Sequence, residues 1–240
     1  MKDIRIIAHR GAMAYAPENS LESFGKALEM GSHIIETDVR TTSDGEAVLM
    51  HDSTVNRTTT GYGKVSDLAL QDIKVFRLRN REAVPTLREA LELLKGRCVL
   101  NLELKDAAAV APTCKLLAEL DMWNSVIISS FTGPWLMEVK LKRSKARIAF
   151  ISDDRELDTV RIAKNLKAEA VHLSRRVATR KLVNAARSEG LDVNVWVVNR
   201  SWQVKKYIEW GVDGIITDRP DLVRRMLDKY DDFRFRDCRL

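Results

Sequence analysis

The chain has 240 residues, 45% of them hydrophobic and 31% charged, with a net charge of +6. This balance excludes a disordered or fibrous polypeptide; the length fits one large domain or two small ones with a substantial core, and a single domain over 1–240 is expected. No uncharged stretch approaches the ~20 residues of a membrane-spanning helix, no apolar leader precedes the first strand, and the basic segment from Arg224 to Arg239 is interleaved with acids and carries no nucleic-acid motif.

The expectation is therefore a soluble cytoplasmic protein without a stable membrane anchor or a nucleic-acid partner. The positive excess is ordinary solubility charge that also favours anionic substrates. Three cysteines, Cys98, Cys114 and Cys238, are odd in number and lack ligand spacing, which reads as reduced structural thiols.

The apolar run at 4–8 predicts a buried strand. After a loop over 11–17, Leu21, Phe24, Ala27 and Leu28 recur at helical spacing, with Asn19 or Ser20 as cap and Gly31 as stop. Residues 34–39 predict a second strand, in which Glu36 and Asp38 stand two apart and so on one face. Asp44-Gly45 ahead of the apolar run 47–50 signals a hairpin, which folds the strand ending at His51 back antiparallel. Residues 53–85 are polar and turn-rich and read as a small loop-rich insertion over one end of the fold.

From Thr86 the pattern alternates regularly. A helix capped by Thr86 stops at Gly96, and a strand follows at 98–104. Then come a helix at 107–120, with Pro112 as a kink or late start, a strand at 126–129 and a helix at 134–141 with Pro in its first turn. A strand at 147–151, a helix at 157–166, a strand at 170–173 and a helix at 179–189 closed by Gly190 continue the series. The chain ends with a strand at 193–198, a helix at 201–210 closed by Gly211, a strand at 214–217 and a helix at 222–227. Apart from the hairpin return strand, eight strands alternate with helices. That is the pattern of an α/β protein with a parallel sheet and the count of a TIM (β/α)8 barrel. A doubly wound open sheet is the alternative, but no Gly-rich dinucleotide fingerprint follows the first strand.

A barrel of this kind builds its active site at the C-terminal ends of its strands. His9-Arg10 follow the first strand, Glu36 and Asp38 lie on the second, and Glu103 and Lys105 share a face of the third. Phe131 closes the fourth, His172 lies on the sixth, Asn194 and Trp196 on the seventh, and Thr217-Asp218 end the eighth. Two carboxylates on one face of a buried strand repel, and a divalent cation between them removes the objection. Glu36, Asp38 and Glu103 form an all-oxygen set that suits Mg²⁺ or Ca²⁺ more than zinc. Arg10 and Lys105 beside it suit a phosphoryl group. His9 and His51 titrate near neutrality and can act as acid and base.

Plainer readings stand beside these. Arg10 as a strand-end salt bridge and Lys105 as a solvated lysine are the less favoured readings of those two, whereas His172 reads equally as a hydrogen-bonded barrel histidine and Trp196 as core. Asp52 reads as a turn former or a partner of His51. Asp218 reads better as the cap of the last helix than as a substrate contact, and His33, ahead of a strand, as structural.

In chain order, His9-Arg10-Gly11, Pro17-Glu18-Asn19, Glu36-Thr37-Asp38-Val39, His51-Asp52, Arg57-Thr58-Thr59 with Gly61 and Gly63, Pro85-Thr86-Leu87, Glu103-Leu104-Lys105 and Thr217-Asp218-Arg219-Pro220 resemble the motif series of the glycerophosphodiester phosphodiesterase family. Each piece is weak alone; the ordered series, over nearly the whole chain, is specific. The resemblance implies a TIM barrel with a small insertion after the His-Asp motif, where 53–85 sits. It implies Glu36, Asp38 and Glu103 as ligands of one divalent ion, His9 and His51 as the acid/base pair, and Arg10 and Lys105 as phosphate holders. Phe131 and Trp196, with His172, become the pocket walls. The implied reaction turns a small glycerophosphodiester into sn-glycerol 3-phosphate and an alcohol, a step of glycerol and lipid metabolism. A lysophospholipase-D-like activity is a second reading, with an apolar approach from Trp135, Leu136 and Met137 or from the insertion. A barrel that binds phosphate esters without turnover is a third, and it leaves the second histidine without a purpose. The oligomeric state is not written in these residues.

Overall fold

In the computed structural model, residues 4–155 and 158–237 are described. Cys238, Arg239 and the predicted helix start at Leu157 lie outside the described residues.

Eight parallel strands close on themselves: β1 (Arg5–Ala8), β2 (Ile34–Thr41), then β4 (Val99–Leu104), β5 (Val126–Ser130), β6 (Arg147–Ser152), β7 (Ala170–Ser174), β8 (Asp192–Trp196) and β9 (Gly214–Thr217). The ring shuts because β1 pairs on both sides, Ile7 with Ile34 of β2 and with Ile216 of β9. The hairpin return, β3 (Ala47–Leu49), lies antiparallel on β2 with Val39 opposite Leu49. Helices α1 (Leu21–Glu29), α3 (Leu87–Leu94), α4 (Val110–Glu119), α5 (Gly133–Lys142), α6 (Thr159–Asn165), α7 (Arg180–Ser188), α8 (Ser201–Trp210) and α9 (Pro220–Asp237) cover the outside. None of the described helices is long and apolar enough to cross a membrane.

Strand alternation sorts the side chains into two cores. Ile6, Ile35, Leu100, Leu102 and Val171 point outward and pack under the helices. Ile7, Ile34, Ile127, Ala149, Ala170 and Ile216 point inward and form an apolar floor. Residues two further along share the inward face, and there the barrel turns polar: Glu36, Asn101, Ser129, His172 and Asn194 are all buried. The floor thus sets a dry platform directly beneath a polar layer.

Helix starts follow local chemistry. Ser20, not Asn19, caps α1 by accepting from the Ser23 amide at 3.0 Å. Thr86 and Glu89 close a reciprocal capping box on α3 at 3.1 and 2.8 Å. Pro112 falls in the first turn of α4, where its missing N–H costs nothing. The last helix outruns its prediction, from Pro220 to Asp237, because its apolar spacing thins beyond Leu227.

The segment 53–85 is more structured than expected. It holds a 3₁₀ turn (Val65–Asp67) and the short helix α2 (Leu70–Val75). Val48, Met50, Val55, Val65, Ile73, Leu78 and Val84 give it a small core of its own. The start of α2 is held from afar, by Asp44 accepting from the Leu70 amide at 3.0 Å. Six residues with one buried side chain carry no readable helical period.

Gly11 turns the chain between β1 and α1 at φ +79°, and an added Cβ would meet the Ser23 carbonyl carbon at 2.7 Å. Both the left-handed backbone and the backbone clash disfavour a side chain. Gly11→Ala is expected to lower stability by about 1–3 kcal/mol or more, read as a reduced midpoint in urea unfolding. An unchanged midpoint would show that this turn relaxes freely.

Candidate active site

Nine of the ten site residues singled out in the sequence line one cavity of about 90 Å³ at the C-terminal ends of the strands. They are His9, Arg10, Glu36, His51, Glu103, Lys105, Phe131, His172 and Trp196. The tenth, Asp38, lies beside it and is buried.

The carboxylates come from β2 and β4, which run in register with Asp38 opposite Glu103. Glu36, Asp38 and Glu103 each offer an oxygen, all within 4.8 Å of one another. Burial, and then the charge of Asp38, push the Glu36 carboxyl up to about 8. The same causes raise Glu103. Burial would raise Asp38 as well, but Arg10 and Lys105 outweigh it and hold that group low. Glu36 Oε2 accepts from the Arg10 amide at 2.8 Å, whereas Oε1 is buried without a partner among the described residues. An orphaned buried oxygen amid three converging carboxylates is what a cation would satisfy. The cluster can therefore hold a metal ion.

Cations already lean on it. Lys105 Nζ sits 2.6 Å from Glu103 Oε1 and 3.4 Å from Asp38 Oδ1. Arg10 Nε lies 3.1 Å from Asp38 Oδ2, a charge contact without hydrogen-bond alignment, and its Nη1 donates to Glu18 Oε1 at 2.7 Å. Arg10 is thus a salt-bridge residue that also lines the cavity.

Two of the three cavity histidines, His9 and His51, are each held by a carboxylate of their own. His9 Nδ1 lies 2.6 Å from Asp218 Oδ1, and Asp218 Oδ2 accepts from Asn199 Nδ2 at 2.5 Å. His51 Nδ1 lies 2.7 Å from Asp52 Oδ1. Arg57 grips Asp52 at 2.6 Å and Glu18 Oε2 at 2.6 Å. A carboxylate only accepts, so both rings carry the proton at Nδ1 and keep Nε2 for another partner. Burial lowers His9, but the bond to Asp218 and the charge of Glu36 outweigh it and leave it above its ordinary value. For His51 burial prevails over Asp38 and Asp52 and leaves it below.

His172 is pushed down to about 3 by burial, so it is neutral, and its Nε2 has no partner among the described residues. Its carbonyl accepts from Trp196 Nε1 at 3.1 Å. Phe131 meets Trp196 edge-to-face at 5.8 Å and completes an aromatic wall. His33 is structural, as its position suggests: its Nδ1 accepts from the Ile6 amide at 2.9 Å.

Two expectations need correction. Asp218 does not cap the last helix; it faces His9 across 209 residues of sequence. Leu136 offers no apolar approach, since it is fully buried on α5. Of the two cap candidates for α1, Ser20 takes the role, and Asn19, from φ 56°, donates to Asp38 Oδ2 at 3.0 Å and accepts from Thr37 Oγ1 at 2.7 Å. The Glu18–Arg57 brace and Asn199 were also missed as site-builders. Their only signal was membership of quoted motifs for the first two; Asn199 had none.

A sequence profile of the Glycerophosphoryl diester phosphodiesterase family matches residues 9–222. A glycerophosphodiester phosphodiesterase of Caldanaerobacter subterraneus subsp. tengcongensis is 33% identical over 237 residues, covering 93% of this chain and 98% of the relative. The crystal structure of glycerophosphodiester phosphodiesterase from Agrobacterium tumefaciens is 28% identical, with a TM-score of 0.81 over 92% of this chain and 99% of that one. A phosphodiesterase from Oleispira antarctica in complex with the product sn-glycerol-3-phosphate is 25% identical, with a TM-score of 0.88 over 93% and 96% of the two chains. With the profile spanning the barrel from His9 onward and one relative matched nearly end to end, the chain belongs to the glycerophosphoryl diester phosphodiesterase family.

Proposed function

We propose that the phosphodiesterase activity of this family member is metal-assisted hydrolysis of a glycerophosphodiester to sn-glycerol 3-phosphate and an alcohol, with His9 and His51 as acid and base. One observation carries this reading: two histidines, each anchored at Nδ1 by a carboxylate, line the same cavity as Glu36 and Glu103 of the three-carboxylate cluster.

Glu36, Asp38 and Glu103 would hold the ion, and their all-oxygen chemistry suits Mg²⁺ or Ca²⁺. When bound, it supplies Lewis-acid polarisation of the phosphoryl oxygens. Arg10 and Lys105 donate to the phosphate and offset the charge it brings. The attacking oxygen gives its proton to one imidazole Nε2 as the new P–O bond forms. The other imidazole gives its Nε2 proton to the alcohol oxygen as the old P–O bond breaks. The raised His9 suits the donor and the lowered His51 the acceptor. His172 and the Phe131–Trp196 wall shield the reacting centre from water. The free thiols of Cys98 and Cys114 support a reducing, cytoplasmic location.

The test is product analysis. Purified protein with Mg²⁺ or Ca²⁺ is expected to release sn-glycerol 3-phosphate and choline from glycerophosphocholine. Turnover of lysophosphatidylcholine but not of glycerophosphocholine would shift the assignment to the lysolipid reaction. Asp218→Asn is expected to lower kcat by about 100-fold, within the 10²–10⁴ that a positioned acid or base supplies, because an amide no longer fixes the His9 tautomer. A wild-type kcat in that variant would remove Asp218 from the mechanism.

A further inference from the structure

A second cavity, of about 530 Å³, adjoins the first and shares Trp196 with it. It lies between the loops that follow β7 and β8. Arg175, Arg176 and Arg200 line it, against one carboxylate, the exposed Asp153. None of the three guanidinium groups has a side-chain ion pair among the described residues, unlike Arg57, which grips Glu18 and Asp52. The loops are braced, since Arg155 donates through Nε at 2.9 Å and Nη2 at 2.7 Å to the Arg176 carbonyl. The ten-residue helix α8 starts at this cavity with no side chain capping it, so its positive end is open there. Gln203, in its first turn, also lines the cavity, is 6% exposed, and makes no side-chain hydrogen bond among the described residues. Its amide opens onto the cavity and is free to bond a ligand there.

We propose that this cavity is a subsite for a second anionic group, a phosphate carried by the alcohol part of the diester. The proposal rests on the phosphodiesterase reading above and deepens it. Three features converge on an anion: arginines without a side-chain ion pair among the described residues, a residue type that binds anions two-pronged, an open helix N-terminus and a nearly buried side chain whose amide opens onto the cavity. The position fits a leaving group. Asn199 lines this cavity and bonds Asp218, which holds His9. An alcohol protonated by His9 therefore extends past Trp196 toward the arginines. The volume accepts a group the size of a phosphorylated polyol. The cavity at Glu18 and Arg57 differs in charge, because two carboxylates, Glu18 and Glu22, line it and pair with Arg57 and Lys26.

The test compares glycerophosphoinositol 4-phosphate with glycerophosphoinositol. Binding is first measured by calorimetry on EDTA-treated protein, where no metal-dependent turnover intervenes, and then kcat/KM on metal-loaded protein. The phosphorylated ester is expected to be favoured by about tenfold or more in both, since one or more charge-assisted bonds are worth that much. The preference should fall in Arg175→Gln/Arg176→Gln and in Arg200→Gln, mainly through KM, and shrink with added salt. Asp153→Asn should strengthen it, which guards against misfolding in the arginine variants. Equal binding of the two esters, or a preference that survives both arginine variants, would overturn the proposal. So would inorganic phosphate that binds at the arginines while the two esters bind alike, because the cavity would then take a free anion. Absence of turnover with either ester, alongside a preserved binding preference, would support the subsite and count against the catalytic reading instead.

Discussion

Alanine at His9 or at His51 is expected to lower kcat on glycerophosphocholine by about 10²–10⁴-fold, the range supplied by a positioned general acid or base. Neither ring is needed for the fold. His51 is a third exposed on a loop, and among the described residues the side-chain bond of His9 runs to Asp218 alone. Circular dichroism and the unfolding midpoint should therefore stay near wild type while turnover collapses. The double variant should fall little further than the worse single one, because groups that act in one transition state are not additive. A single variant with wild-type kcat would exclude that histidine from proton transfer.

The second large effect concerns Glu36. In ion-free protein its folded pKa stands near 8, raised first by burial and then by Asp38, against an ordinary value of 4.5. A carboxyl with a raised folded pKa binds protons more tightly when folded. Stability is then highest below 4.5 and is lost as pH rises toward 8. EDTA-treated protein is expected to lose unfolding free energy across that window. Mg²⁺ or Ca²⁺ should restore it, since a ligand of the folded state stabilises by mass action. Glu36→Gln keeps the shape and removes the charge. Its ion-free form should be more stable than wild type at pH 7.5 and show a flatter pH slope. Its divalent affinity should drop by at least the 10–100-fold that even an outer partner of a metal is worth, with turnover falling alongside. A variant with wild-type metal affinity would show that the ion, if any, is held elsewhere. Urea unfolding with and without metal, read at several pH values, measures all of this.

The fold was legible because its signals are local. β-branched runs, Ser and Thr caps and Gly stops recur within ten or so residues, and eight repetitions leave few architectures. The same logic located the cavity, since strand ends in a barrel converge whatever their separation in the chain. What was not legible depends on side chains meeting across that separation. Asp218, ahead of Arg219-Pro220, carries every local mark of a cap, and only the closed ring places it 2.6 Å from His9. Asn19 could cap α1 as well as Ser20 does; its left-handed backbone, which turns it onto Asp38, is a tertiary choice. Helix α2 is capped by Asp44 from the hairpin turn, and no window of sequence contains both in one pattern. The arginine cavity joins residues of two loops with the end of a helix, each ordinary surface on its own.

The most direct measurement is turnover of glycerophosphocholine by protein stripped with EDTA and reloaded with Mg²⁺, Ca²⁺ or Mn²⁺ in turn, followed as sn-glycerol 3-phosphate released. The stripped protein is expected to be folded and inactive, and one or more of the ions to restore turnover in proportion to occupancy of the Glu36–Asp38–Glu103 cluster. Full turnover by protein verified to be metal-free would contradict the account.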